Sequence, residues 1–296
     1  MKALAIGSTG REIGECMRAL EEIGPDEIYV LSMGRERGVG VAKKTFLSSV
    51  GNHYEIFLAL EAISEEISPD LIVGPSTRNV IDALALFCGK REMPMITEVN
   101  SLKRTEGGIE FVRPLFSGKA TVTLLASIPC SFTIAPGVFE ARELEEGGEV
   151  EKIGIPSPPL EVLKREPKEL GGVDLSAADV VIGVGRGFRS KEDLKLAREL
   201  AELVGGVVGG TRPVVADYKW LPEPYIGISG TRVSPRVYFA VGVSGASQHI
   251  MAATSSKLII SVNKDKNAPI FQYSDVGVVA DLYEFLPKLL ERLKKK

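Results

Sequence analysis

Residues 238–265 read YFAVGVSGASQHIMAATSSKLIISVNKD. Two short apolar runs, 238–243 and 257–262, bound this stretch. Both are rich in aromatic and β-branched residues and show little polar alternation. That is the pattern of central strands in a parallel sheet covered on both faces. The segment between them is expected to be a helix. Polar residues fall just past each strand end. Ser244, Gly245, Ser247, Gln248 and His249 follow the first, and Asn263, Lys264 and Asp265 follow the second. In open α/β sheets, ligands sit outside the carboxyl ends of the strands. The polar residues therefore lie where such a fold holds a ligand.

Working outward, the first half alternates strand and helix. Strands are expected at 3–7, 27–31, 71–74 and 95–97, with helices at 12–23, 54–67 and 77–88. This alternation, continued in the second half, predicts an α/β protein of two domains. Each would be a doubly wound, mostly parallel, Rossmann-like sheet. Residues 99–135 break the pattern with short β runs, and Gly107-Gly108 is the expected hairpin turn. Those strands either extend the sheet or form a small antiparallel flap. The glycine-flanked turns at 7–10 and 74–77 read best as ordinary turn and cap chemistry. His53 reads as a solvated residue at a helix start.

Residues 140–173 hold ELEEGGEVEK and IPSPPLEVLKREPKELGG, whose charge, proline and paired glycines break both periodicities. They are expected to be a solvated connection, with the domain boundary near 167–172. The domains would then span 1–165 and 170–296. The second domain opens with a strand at 179–184, a turn at Gly185-Arg186-Gly187 and a helix from Ser190 to Val204. Strand, glycine turn and helix start together make an anion site. Thr211 and Arg212 follow a short strand at 207–208, and Arg212 offers a permanent charge and a planar fork. The tail from Asp281 reads as a short turn, then a helix entered at Pro287.

Composition narrows the function classes. The 296 residues are 44% hydrophobic and 25% charged, as in an ordinary globular protein. A net charge of −3 gives no reason to expect nucleic acid. Three scattered cysteines without a CxxC pair give no support for zinc or iron–sulfur ligation, and they fit a reducing, cytoplasmic compartment. The N-terminus reads as a first strand, not a signal peptide. No apolar run approaches the roughly 20 residues that span a bilayer.

VGVSGASQH, an apolar strand and then VNKDKNAPIFQYSDVGVVADL resemble the FAD-binding signature of electron transfer flavoprotein alpha subunits. VGPSTRNVIDALA and VRPLFSGKATVTLL are looser counterparts in the first half. The resemblance implies FAD as cofactor, held by the C-terminal domain. It implies a heterodimer with a beta subunit, on which the N-terminal domain packs. It implies electron transport from flavin-dependent dehydrogenases to a quinone oxidoreductase or similar acceptor, through a flavin semiquinone. Such a chain is a carrier, not a catalyst on its own.

Residue by residue, the resemblance sets Arg212 in TRPVV over the flavin ring. Gly227, Ser229 and Gly230 stand where the family commonly has Gly-Gln-Thr-Gly. Ser229 keeps the hydroxyl, while Ile228 lacks the amide. His249, after Gln248, would donate to flavin O2. Ser244, Gly245, Asn263, Lys264, Asp265 and Asp281 would contact the phosphate, adenosine or ribityl parts, beside Gly185, Arg186, Gly187 and Thr211. Two other readings stay open. One is a bifurcating or NAD-linked flavin oxidoreductase, and the other is an assembly subunit that has lost its cofactor.

Overall fold

The structure, a computed structural model, describes residues 1–34, 37–49, 51–116, 118, 120–156 and 174–295. It divides into two units, Met1–Arg165 and Glu166–Lys296. The boundary expected at 167–172 lies outside the described residues.

In the first unit, β1 (Lys2–Gly7), α1 (Gly10–Glu21), β2 (Glu27–Ser32), β3 (Lys44–Leu47), α2 (His53–Ile67), β4 (Leu71–Pro75), α3 (Arg78–Arg91) and β5 (Met95–Val99) run in order. Then come β6 (Ser101–Thr105), β7 (Gly108–Leu115), β8 (Ala120–Ala126), β9 (Cys130–Ile134) and β10 (Glu149–Lys152). Seven of these strands form one parallel sheet in the order β10-β3-β2-β1-β4-β9-β5. The apolar run of β1 is unbroken because both of its faces are buried. Ala3 and Ala5 pack with Ile13, Met17 and Leu20 of α1 on one side. Leu4 and Ile6 pack with Leu60 of α2 and Leu84 of α3 on the other. The start of α1 is a capping box at Thr9 and Glu12, and that of α2 is one at Asn52 and Glu55. His53 is the first residue of α2.

β6, β7 and β8 are the antiparallel flap, a separate three-stranded sheet. Its first turn is Glu106-Gly107, between the paired residues Thr105 and Gly108. The acidic stretch before 150 corrects a sequence expectation. It is not only a solvated connection, because β10 is the parallel edge strand beside β3. The cause is period-two charge. Glu149 and Glu151 point to the same side of the strand and meet Lys44 Nζ at 3.4 and 2.5 Å. Glu66 of α2 meets the same ammonium at 2.7 Å. A charged edge also discourages pairing with other chains.

The second unit holds β11 (Val180–Val184), α4 (Lys195–Val204), β12 (Val207–Gly210), β13 (Val237–Val241), α5 (Ser247–Ile250), β14 (Leu258–Asn263), β15 (Val276–Val279) and α6 (Leu282–Lys294). Its sheet is parallel throughout, in the order β12-β11-β13-β14-β15. Strand order therefore reverses between β11 and β13, the switch point where such sheets bind ligands. The two faces are covered differently. Phe239 and Val241 pack under α4 and α6, with Leu200, Leu286 and Leu290. Tyr238 and Ala240 pack under short segments carrying Ile226, Val233, Ile250 and Ile270.

Three local expectations are corrected. The helix between β13 and β14 is one turn, α5, followed by turns. α4 starts at Lys195 after a 3₁₀ turn, Glu192–Leu194, and not at Ser190. Ser190 still caps that turn, accepting the Asp193 N–H at 3.3 Å. α6 is continuous through Pro287. The missing proline N–H removes one backbone bond, but the buried stripe Leu282, Leu286 and Leu290 holds the helix on the core.

Lys44→Ala should release β10. Amide hydrogen exchange at residues 149–152 should quicken while β1 and β4 stay protected, as read by mass spectrometry. Unchanged protection would mean that backbone pairing alone holds this edge.

Candidate functional site

The five parallel strands of the second unit end on the same side, and a cleft of about 450 Å³ lies there. Past β11 come Gly185, Arg186 and Gly187; past β12, Thr211 and Arg212. Ser244 follows β13, Asn263 and Lys264 close β14, and Asp281 follows β15. Gly227 and Ser229 supply one wall, and Gln248 and His249 of α5 another.

Glycines set the floor. The Gly185 N–H donates to the Val241 carbonyl at 3.0 Å, and the Gly187 N–H to that of Gly242 at 2.9 Å. A Cβ on Gly185 would fall 2.3 Å from the Gly242 oxygen, and one on Gly187 would fall 2.6 Å from the Gly242 Cα. Gly242 itself has φ +62°, a conformation that favours glycine. The loops after β11 and β13 thus touch backbone to backbone. The expected anion cradle changes accordingly: these two N–H groups are spent within the fold, and the helix start lies several residues on.

The charge of the cleft comes from side chains. Arg186, Arg189, Arg212 and Lys264 line it, against Asp281 as the one carboxylate among the described lining residues. Arg186, Arg212 and Lys264 are exposed. Arg189 lies 3.7 Å from Asp281, and its guanidinium sits 4.5 Å from the Tyr283 ring centre. Asp281 also caps α6, accepting the Tyr283 N–H at 2.8 Å. Asn263 ties two strand ends together. Its Nδ2 donates to the Val243 carbonyl at 2.9 Å, and its Oδ1 accepts the Asp265 N–H at 2.9 Å.

His249 is only 7% exposed. Its Nδ1 lies 2.9 Å from the Ile226 carbonyl oxygen and its Nε2 lies 2.6 Å from the Tyr238 hydroxyl. Burial lowers its pKa from 6.5 to about 4, opposed in part by the Ile226 bond. The ring is therefore neutral near pH 7. Both ring nitrogens lie within hydrogen-bond distance of partners inside the protein, while the ring also lines the cleft.

Three predicted site residues do not reach the cleft. Gly230 packs on Tyr225, where a Cβ would fall 2.2 Å from the carbonyl oxygen. Gly245, at φ +84°, packs on the backbone of Ile270. Asp265 shapes a turn by accepting the Asn267 N–H at 2.9 Å. Conversely, the sequence reading missed Arg189, Tyr225 and Tyr283, which do line the cleft. Arg189 follows the glycine turn by two residues, a signal that proximity could have supplied. Tyr225 and Tyr283 stand in no motif.

Comparison with known proteins decides the family. The sequence profile of the electron transfer flavoprotein domain matches residues 2–158. That of the electron transfer flavoprotein FAD-binding domain matches residues 174–254. An electron transfer flavoprotein subunit alpha of Bacillus subtilis (strain 168) is 34% identical over 242 residues, which is 80% of this chain and 74% of the relative. That of Syntrophomonas wolfei is 35% identical over 240 residues, 79% of this chain and 75% of the relative. Protein FixB of Escherichia coli O139:H28 is 33% identical over 242 residues, 79% and 77% of the two chains.

The chain belongs to the electron transfer flavoprotein alpha subunit family.

Members of this family bind FAD, and FAD is the cofactor of this chain. Members normally pair with a beta subunit. The cleft fits the cofactor. Its net positive lining suits a pyrophosphate, and the glycine floor lets the two loops that carry it meet backbone to backbone. Among the described residues no group of His, Cys, Asp and Glu could hold a metal ion. No helix among them is long and apolar enough to cross a membrane.

For His249 the folded pKa of about 4 lies below the ordinary 6.5. The unfolded chain therefore binds the proton more readily, and stability is lost as pH drops from 6.5 toward 4. The contribution is complete above pH 6.5 and disappears toward pH 4. At 1.36 kcal/mol per pKa unit it amounts to about 3 kcal/mol. His249→Gln should flatten the acid limb of stability over this range, measured as urea midpoints against pH. A limb as steep as that of the parent would show that other groups cause it.

Proposed function

We propose that this chain is the FAD-holding half of a heterodimeric electron carrier. It takes electrons from flavin-dependent dehydrogenases and hands them to a quinone oxidoreductase or similar acceptor. The observation that carries this reading is the cation-lined cleft at the switch point of the FAD-binding domain. The bound flavin supplies reversible electron uptake; the protein supplies placement and electrostatics.

The side chains divide by what each can offer a cofactor in that cleft. Arg186, Lys264 and Ser244 are exposed along the strand ends and would hold the pyrophosphate and ribose region. Arg212 stands at the β12 end with an exposed guanidinium, and would face the flavin ring. Ser229, whose hydroxyl lies 2.9 Å from that of Tyr225, would meet the ring edge. Thr211 is buried beside Arg212, and its N–H bonds to the Val184 carbonyl at 3.0 Å, which fixes the start of that loop. Asn263 and Asp281 would act partly by shape, since both already tie the cleft wall together. The Met1–Arg165 unit would pack on the beta subunit.

Co-expression with a beta subunit should yield a yellow complex whose flavin is reduced rapidly by a flavin-dependent dehydrogenase, as followed by stopped flow. A colourless pair would leave only the assembly reading. Within the yellow complex, Arg212→Ala should lower the reduction potential of bound FAD by some tens of millivolts. A charge-assisted bond contributes about 1.5–3 kcal/mol, and solvent at an exposed guanidinium reduces that. Arg212→Lys should recover part of the loss, because an ammonium lacks the planar fork. Spectroelectrochemical titration of the parent and both variants reads these shifts. Potentials unchanged in Arg212→Ala, with FAD still bound, would remove Arg212 from the flavin ring.

A further inference from the structure

The loop after β12 has a second side. Thr211 and Arg212 line the cofactor cleft. The chain then makes one wide turn, Pro213–Asp217, in which the Tyr218 N–H reaches back five residues to the Pro213 carbonyl at 2.9 Å. Such wide turns are rare and are frequent at functional sites. Lys219 follows with φ +55°, a left-handed conformation uncommon outside glycine. The chain reverses there, and Tyr218 and Trp220 lie side by side with ring centres 4.8 Å apart.

A groove of about 580 Å³ lies against this segment. Its apolar lining includes Val215, which is buried, and Trp220 and Leu221, which are half-buried. Its charged lining is exposed. Lys191 comes from the turn before α4, Arg198 from α4 itself and Lys219 from the reversal, with Glu223 as the one carboxylate among the described lining residues. None of the three cations forms an ion pair among the described residues. Two carboxylates close to them in sequence are engaged elsewhere. Asp193 accepts the Tyr283 hydroxyl at 2.8 Å, and Glu199 pairs with Lys294 at 2.5 Å.

An apolar centre with an aromatic anchor and a charged, exposed rim is the anatomy of a protein–protein contact. A small-molecule pocket would instead bury a few placed polar groups. Charge decides the sign of the occupant. Three unpaired cations favour an acidic face, and opposite charge raises the association rate more than the affinity. That suits a contact that must form and part at each electron transfer. The place fits the same purpose. Residues 211–217 carry Arg212 into the cofactor cleft at one end and Val215 into the groove at the other. A protein seated in the groove stands beside the β12 end of that cleft.

We propose that this groove is the docking site for an acidic segment of the protein that exchanges electrons with the bound cofactor. The proposal rests on the electron-carrier reading for the identity of the partner, and adds where that partner sits. Trp220 packs against the apolar residues of the segment, while Lys191, Arg198 and Lys219 hold its carboxylates at the rim.

Trp220 is the single tryptophan of the chain, so 5-fluorotryptophan labelling of this chain gives one ¹⁹F resonance that reports on the groove. The labelled chain is joined to an unlabelled partner subunit and loaded with FAD. Hexaglutamate is the acidic probe, hexaglutamine its neutral match and inorganic phosphate the small anion. Hexaglutamate should shift the resonance saturably, and its Kd should rise several-fold between roughly 20 and 200 mM salt. Lys191→Gln, Arg198→Gln and Lys219→Gln should each raise that Kd about two- to five-fold, as expected for an exposed ion pair. In stopped flow, a flavin-dependent dehydrogenase should reduce the triple variant about tenfold more slowly than the parent in low salt, with the two rates converging in high salt. The FAD content and reduction potential of the triple variant should match the parent.

A resonance unmoved by hexaglutamate, or moved as far by hexaglutamine, overturns the proposal. So does phosphate that saturates the resonance as tightly as hexaglutamate, which would make the groove a small-anion site. Equal dehydrogenase rates for parent and triple variant in low salt also overturn it. A complex that is colourless, or that no dehydrogenase reduces, counts against the carrier reading instead. The fluorine titration then decides alone whether the groove takes an acidic segment.

Discussion

The second unit depends on the contact between two backbones at its switch point. The loops after β11 and β13 leave adjacent strands in the same direction and must part to make a cleft. They first meet at Gly185, Gly187 and Gly242, joined by two N–H···O bonds and with no room for a Cβ. That contact seats Arg186 between two fixed glycines. Neighbouring strand ends, held in register by the parallel ladder, then deliver Arg212 and Lys264 to the same cleft. The positive lining is thus a consequence of where strands end and not of any local run of basic residues.

The same sheet is finished differently on its two faces, and the difference is functional. Helices α4 and α6 cover one face with aliphatic side chains, and regular packing of this kind leaves little for polar groups to do. Short segments cover the other, and their carbonyls are not used up in a helix ladder. The Ile226 carbonyl is one such group, free to take the His249 proton. A buried imidazole becomes tolerable there, and its neutrality follows from the dry surroundings. The same ring borders the cleft, so its internal partners also set how it faces that space.

In the first unit, charge and not apolar burial completes the sheet. β10 has the sequence EVEK and carries almost no hydrophobic surface to bury. It joins the sheet because Lys44, on the neighbouring strand, gathers Glu149 and Glu151 together with Glu66. Read along the chain, those glutamates are a solvated acidic run. Only the pairing partner, a hundred residues away, makes them a strand.

Much of this was legible from sequence because it rests on local periodicity. The apolar runs read at 179–184, 238–243 and 257–262 mark strands buried on both faces, whatever their neighbours. Polar residues just past those runs mark the cleft, since strand ends are where a parallel sheet opens. The turn at 7–10 and Ser190 announce caps by their own chemistry, whereas the cap of α2 is Asn52, one residue before the His53 that the sequence singled out. The resemblance around VGVSGASQH pointed to FAD, and the family assignment agrees. Tertiary structure decided what depends on distant partners. It set strand order, and with it which five ends converge. It kept Gly230, Gly245 and Asp265 out of the cleft lining and brought Arg189, Tyr225 and Tyr283 into it. It carried α6 through Pro287, because a buried leucine stripe outweighs one missing backbone bond. It also gave His249 its two neighbours, the Tyr238 hydroxyl and the Ile226 carbonyl, because which groups the fold places at the ring nitrogens depends on tertiary packing that no sequence spacing encodes.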